Sequence, residues 1–187
     1  LKEKLSLIKG VPTPNIFLGN GSDEAIDLLF RIFCEPGKDN VILFPPTYGM
    51  YEVCAEINNV AVKKVPLTAG FQLDLEAVEG AVDTNTKLIF VCSPNNPTGA
   101  LYPDELLREI IGIARQHQLI IFADEIYDKV LYDGATHTSV ASLADDVLFV
   151  TFNGLSKNYR SCGYRAGWMV VSGELRHARD YIEGLDM

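Results

Sequence analysis

The chain has 187 residues, 48% hydrophobic and 22% charged, and its 16 Lys and Arg against 25 Asp and Glu leave a formal net charge of −9. That acidic excess, with no run of five or more basic residues, argues against nucleic acid as a partner, and no apolar run nears the roughly 20 residues of a membrane span. Cys34, Cys54, Cys92 and Cys162 show no C-x-x-C spacing. With so few histidines beside them they argue against a zinc cluster, so no metal site is expected and the thiols read as reduced and cytoplasmic.

The opening LKEKLSLIKG lacks the apolar core of a signal peptide. The first strand-length apolar run is IFLG at 16–19, and Asp23–Cys34 follows with Ile26, Leu29, Phe30 and Phe33 spaced along one helical face, Ser22 serving as N-cap. VILF at 41–44 reads as a strand, and Thr47–Asn58 and Leu75–Val82 as weaker helices. LIFVC at 88–92 leads into SPNNPTG, a turn by composition. Asp104–Gln116 is a second amphipathic helix, started by Pro103 and carrying Leu106, Leu107, Ile110, Ile111 and Ala114. LIIFA at 119–123, VLFVTF at 147–152 and GWMVVS at 167–172 complete the strands. Strands alternating with helices, with no repeat or linker, predict one α/β domain built on a largely parallel sheet. Leu1 at the start, and a helical pattern still running at Met187, lead us to expect a piece of a longer protein.

Open α/β sheets bind ligands beyond the carboxyl ends of their strands. Here those ends run into GNGSDE, PPTYG, SPNNPTG, DEIYD and NGLSK, so polar groups collect where a ligand would sit. Gly21-Ser22-Asp23, between strand and helix, suits either a phosphate or a plain helix cap. It is not a dinucleotide fingerprint, because Glu24 stands where the third glycine belongs. Asp124 ends a nearly apolar strand, so its carboxylate needs a cationic partner: a structural Arg or Lys, or a protonated ring nitrogen of a ligand. Tyr127, three residues on, reaches the same ligand if the turn is helical. Lys157 carries an amine at the end of a buried strand, where partial burial and a neighbouring positive charge would favour Schiff-base chemistry. Arg165 could meet a phosphate bidentately. Asn96 could donate to a ligand oxygen, and Tyr48 could lay its face on a planar ring. Singly, each of these also reads as packing or surface.

Together, GNGSDEAIDLL, PPTYGMY, SPNNPTG, ADEIYD and the Ser156-Lys157 pair with Arg165 eight residues after the lysine resemble the fold type I, class I/II aminotransferases, across essentially the whole chain. The resemblance implies a three-layer α/β/α large domain over 1–187 that binds pyridoxal 5'-phosphate. Lys157 would then hold the cofactor as an internal aldimine and shuttle the substrate proton. Asp124 would pair with the pyridine nitrogen, Tyr127 and Asn96 would donate to the phenolic oxygen, and Tyr48 would stack on the ring. Ser22, Asp23, Ser156 and Arg165 would grip the phosphate. The reaction implied is amino transfer between an amino acid (histidinol phosphate, alanine or an aromatic donor) and a 2-oxo acid, in a cytoplasmic homodimer. A β-elimination lyase of the same fold, or a truncated cofactor-binding module without turnover, shares these residues. Two departures stand out: Gly154 replaces a frequent Ser or Thr, and the family's N-terminal segment and small domain, with its carboxylate-binding arginine, lie outside the resemblance. Residues to about Gly99 look most like histidinol-phosphate aminotransferases, and later motifs more like alanine and aspartate-type enzymes.

Overall fold

The computed structural model describes residues 1–176 and 178–184. Seven strands form one sheet: β1 (Ile16–Gly19), β2 (Asn40–Leu43), β3 (Ala61–Lys64), β4 (Thr86–Cys92), β5 (Ile120–Asp124), β6 (Leu148–Gly154) and β7 (Gly167–Gly173), in the order β1-β7-β6-β5-β4-β2-β3. The pairs from β3 through β2, β4 and β5 to β6 are parallel, while β7 runs antiparallel to both β6 and β1. The largely parallel sheet predicted from the sequence is therefore present. The link from β6 back to β7 contains only the short 3-10 turn Cys162–Tyr164 and no α-helix, so the chain reverses direction there.

Among the described residues, six helices flank the sheet: α1 (Lys2–Lys9), α2 (Ser22–Phe33), α3 (Met50–Ile57), α4 (Leu75–Ala81), α5 (Asp104–His117) and α6 (Arg179–Gly184). Side chains of a strand alternate between faces, and here the alternation builds two cores. Leu88, Phe90, Phe122, Val150, Phe152 and Met169 pack with Ile26, Leu29, Phe30 and Tyr51 of α2 and α3. Ile89, Val91, Ile121, Ala123 and Phe149 pack with Val78 of α4 and Leu107, Ile110 and Ile111 of α5. A smaller cluster, Leu5, Ile16, Trp168 and Val170, seats α1 on the β1–β7 end. Phe90 lies 4.4 Å from Phe122 and Phe122 5.3 Å from Phe152, ring centre to ring centre, so aromatic contacts cross the central strands directly beneath the site.

Several expectations are corrected. The N-cap of α2 is Gly21, not Ser22, because a backbone at φ 83° suits glycine, and no side chain caps this helix. The helix expected from Thr47 begins at Met50, after the turn through Pro45 and Pro46. β3 and α1 go beyond the sequence expectation. β3 is a short edge strand ending in Lys63-Lys64, with no apolar run to announce it, and only Leu5 of α1 is buried. Residues 185–187, read as helix, lie outside the described residues. Among the described residues no helix is long and apolar enough to cross a membrane.

Candidate active site

β1, β2, β4, β5 and β6 all point their carboxyl ends at one edge of the sheet, and β7 starts there. The loops at that edge enclose a cleft of about 130 Å³ lined by Ser22, Asp23, Tyr48, Asn96, Asp124, Ser156, Lys157 and Arg165, with Gly21, Ile126, Gly154, Cys162 and Ala166 between them. Eight of the nine residues singled out from the sequence thus meet in one place. The ninth, Tyr127, lines the neighbouring cleft with Ser156 and Lys157, and its ring centre is 5.9 Å from Lys157 Nζ.

Asp124 forms the floor and is 5% exposed. Its Oδ2 accepts from the Tyr51 hydroxyl at 2.5 Å and its Oδ1 from the Ile126 backbone N–H at 3.1 Å. Burial pushes its carboxyl upward, with a smaller push from Asp23, while the two hydrogen bonds oppose the shift. Among the described residues no Lys, Arg or His pairs with it. Of the partners the sequence left open, a structural cation is therefore not the one found. Tyr51 went unnoticed in the sequence. It sits three residues after Tyr48, on the first turn of α3, and only the packing of α3 on β5 reveals that it meets Asp124. Its own ionisation is driven well up, first by burial and then by the Asp124 charge.

The wall over α2 is built by Tyr48 and Asp23. The Tyr48 hydroxyl donates to Asp23 Oδ1 at 3.0 Å, and burial together with that carboxylate pushes its ionisation up to about 12. Tyr48 also meets Tyr51 edge to face at 5.5 Å, which fixes the ring beside the cleft.

The opposite wall carries cations. Lys157 lies in the turn after β6 and is exposed, so the partial burial expected for it is not found in this chain. Arg165 is exposed, in the left-handed region at φ 47°, and donates through Nη1 to the Cys162 carbonyl at 3.3 Å. Its Nη2 lies so near Gly21 that a Cβ there would be 3.1 Å away. A guanidinium thus stands at the start of α2, where no side chain occupies the first-turn N–H groups, an arrangement suited to an anion. A Cβ at Gly154 would lie 3.1 Å from the Ala166 carbonyl oxygen and 3.3 Å from Gly167 Cα, so the close approach of β6 and β7 leaves little room for the hydroxyl side chain frequent in the family.

The fold is that of the fold type I aminotransferases. The family described as aminotransferase class I and II matches residues 3–184, and the chain belongs to it. The chain is 44% identical over 182 residues to the glutamate-pyruvate aminotransferase AlaA of Escherichia coli (strain K12), covering 96% of this chain and 45% of that protein. It is 47% identical over 173 residues to a histidinol-phosphate aminotransferase of Bacteroides thetaiotaomicron, covering 92% of this chain and 48% of the relative. A crystal structure of an aminotransferase from Escherichia coli superposes with a TM-score of 0.90 at 42% identity, over 100% of this chain and 46% of that one. Relatives of both kinds match nearly the whole chain, and the chain spans just under half of their length.

The family depends on pyridoxal phosphate. The donor set here fits that group: a buried carboxylate without a cation suits a protonated ring nitrogen, and the guanidinium over an uncapped helix start suits a phosphate.

Proposed function

We propose that residues 1–187 form the cofactor-binding unit of a pyridoxal-phosphate-dependent aminotransferase that moves an amino group between an amino acid and a 2-oxo acid. The observation that carries this reading is the meeting of Asp124, Lys157 and Arg165 around one cleft, which a buried carboxylate and two cations line together. Bound pyridoxal phosphate supplies an electron-accepting ring that takes up the charge left when the substrate α-proton departs. Asp124, held by Tyr51, would keep the ring nitrogen protonated. Tyr48 would pack against the ring, and Asn96 and Tyr127 would donate to its phenolic oxygen. Ser156, Arg165 and the backbone N–H groups of Ser22 and Asp23 would grip the phosphate. Lys157 supplies the amine that anchors the cofactor and carries the proton. Alanine, glutamate or histidinol phosphate as donor follows from the relatives' names, and we place the enzyme in the cytoplasm as a homodimer.

The test is an absorbance spectrum of the chain with added pyridoxal phosphate, beside Lys157→Ala. A visible band that borohydride fixes, present only with the lysine, is the expected result. A band equal in both proteins would remove Lys157 from the anchoring role, and no band in either would overturn cofactor binding by this chain.

A further inference from the structure

Lys157 and Tyr127 belong to two turns at the surface, one after β6 and one after β5, Lys157 exposed and Tyr127 half-buried, and a surface turn does not fix a side chain by itself. The next residue in each turn, however, is tied across. Asn158 Nδ2 donates to Asp128 Oδ1, and the Lys129 backbone N–H donates to Asn158 Oδ1 at 3.3 Å. Asn158 Nδ2 also reaches Asn153 Oδ1 at 3.1 Å. Asn153 is 3% exposed on β6, and its Nδ2 donates to the Glu125 carbonyl at 3.0 Å, which anchors the bridge to the end of β5. A further contact, Lys129 Nζ to the Tyr159 hydroxyl at 3.2 Å, joins the same two turns at their outer edge. Asn158 thus uses both ends of its amide on the Tyr127 turn and on β6, one residue away from Lys157.

We infer that Asn158 is a positioning residue: with Asp128 and Asn153 it clamps the turn of Lys157 to the turn of Tyr127 and so fixes where the Lys157 amine stands. The inference rests on the aminotransferase reading for its meaning, since a lysine that anchors a cofactor and moves a proton must be held in one place. The clamp itself is a property of the chain without cofactor.

It is tested by competitive labelling of the cofactor-free chain with acetic anhydride, reading the acetylation of Lys157 against Lys63, on the edge strand β3, and Lys87, at the amino end of β4. Asn158→Ala and Asp128→Ala are each expected to raise Lys157 labelling roughly threefold to tenfold relative to those two, the range one ordinary hydrogen bond supports. Asp128→Asn keeps an oxygen that accepts from Asn158, and is expected to label as the unsubstituted chain does. In the chain loaded with pyridoxal phosphate, the two alanine variants should also move the pH midpoint of the visible band, by up to about one unit. Labelling of Lys157 unchanged in both alanine variants would overturn the inference, and so would a rise shared equally by Lys63 and Lys87, which marks general loosening. If the unsubstituted chain shows no band, the proposed function falls while the labelling still decides the role of Asn158.

Discussion

Asp124 and Glu125 are neighbours in sequence but face opposite sides of the sheet, and both are buried. Asp124 takes its partner from α3, while Glu125 Oε1 accepts from the Ser139 hydroxyl and the Val140 N–H, both at 2.9 Å. Burial outweighs those bonds and raises the Glu125 carboxyl from 4.5 to about 7. Between those two values the folded chain keeps a proton that the unfolded chain has released. The contribution of Glu125 is thus full below pH 4.5 and is lost as pH rises through 7. Integrated over that window the loss is about 3 kcal/mol. Glu125→Gln keeps an oxygen for Ser139 and Val140 but does not titrate. Urea unfolding of both proteins from pH 4 to 8 should therefore show the unsubstituted chain losing stability relative to the variant as pH rises, with the difference levelling off above about pH 7. A pH-independent difference would mean that Glu125 titrates alike in the folded and unfolded chain. The sequence exposed Asp124 through its place at the end of LIIFAD, but gave Glu125 no separate role, because nothing local shows which face a residue after a strand will take.

The strands and the two long helices were legible because their patterns are local: apolar runs for β2, β4, β5 and β6, and one-sided apolar spacing for α2 and α5. β3 was not, since an edge strand gains its place from pairing with β2 and not from its own hydrophobicity. The cap of α2 was misplaced for a related reason: Ser22 is a good cap by type, but the approach of β7 sets the backbone of Gly21. A Cβ on Gly167, at the start of β7, would stand 2.6 Å from the Gly21 carbonyl carbon and 2.8 Å from the Ser22 nitrogen. Gly167→Ala must therefore push β7 away from the start of α2, at a cost of roughly 1–3 kcal/mol. It should also weaken pyridoxal phosphate binding, because the same backbone lines the end of the cleft where we propose that the phosphate binds. Gly112, inside α5, meets nothing within 4 Å, so Gly112→Ala should instead raise stability by roughly 0.5–1 kcal/mol. Urea midpoints moving in opposite directions for the same substitution would separate close backbone approach from helix propensity. A neutral Gly167→Ala would mean that β7 and α2 do not approach so closely.

The order of motifs along the chain made the site readable because parallel strands bring every strand-following loop to one edge. What joins those loops to one another, Tyr51 to Asp124 and Asn158 to Asp128, depends on which elements become neighbours and left no mark in the sequence. The same holds for the outside of the cleft. Tyr132, Tyr159 and Tyr164 are 73%, 50% and 79% exposed, and they belong to the loops that carry Tyr127, Lys157 and Arg165. Three large aromatic side chains in water around one opening are an uncommon arrangement for an isolated surface and suit burial against a second copy of the chain. The net charge of −9 opposes that association at low salt and does so less as salt screens it. Sedimentation equilibrium is therefore expected to show a concentration-dependent dimer that strengthens between low and moderate salt. Tyr132→Glu and Tyr164→Glu should shift it toward monomer, because each would place a charge in the contact. Cofactor titrations of the same variants separate two roles for the surface. If the dimer is lost while the Lys157-dependent band remains, the cleft of one chain holds the cofactor alone; if both are lost, the second copy completes the site. A monomer at every concentration and salt would remove the dimer from the proposed function and leave the tyrosines as solvent-facing loop residues.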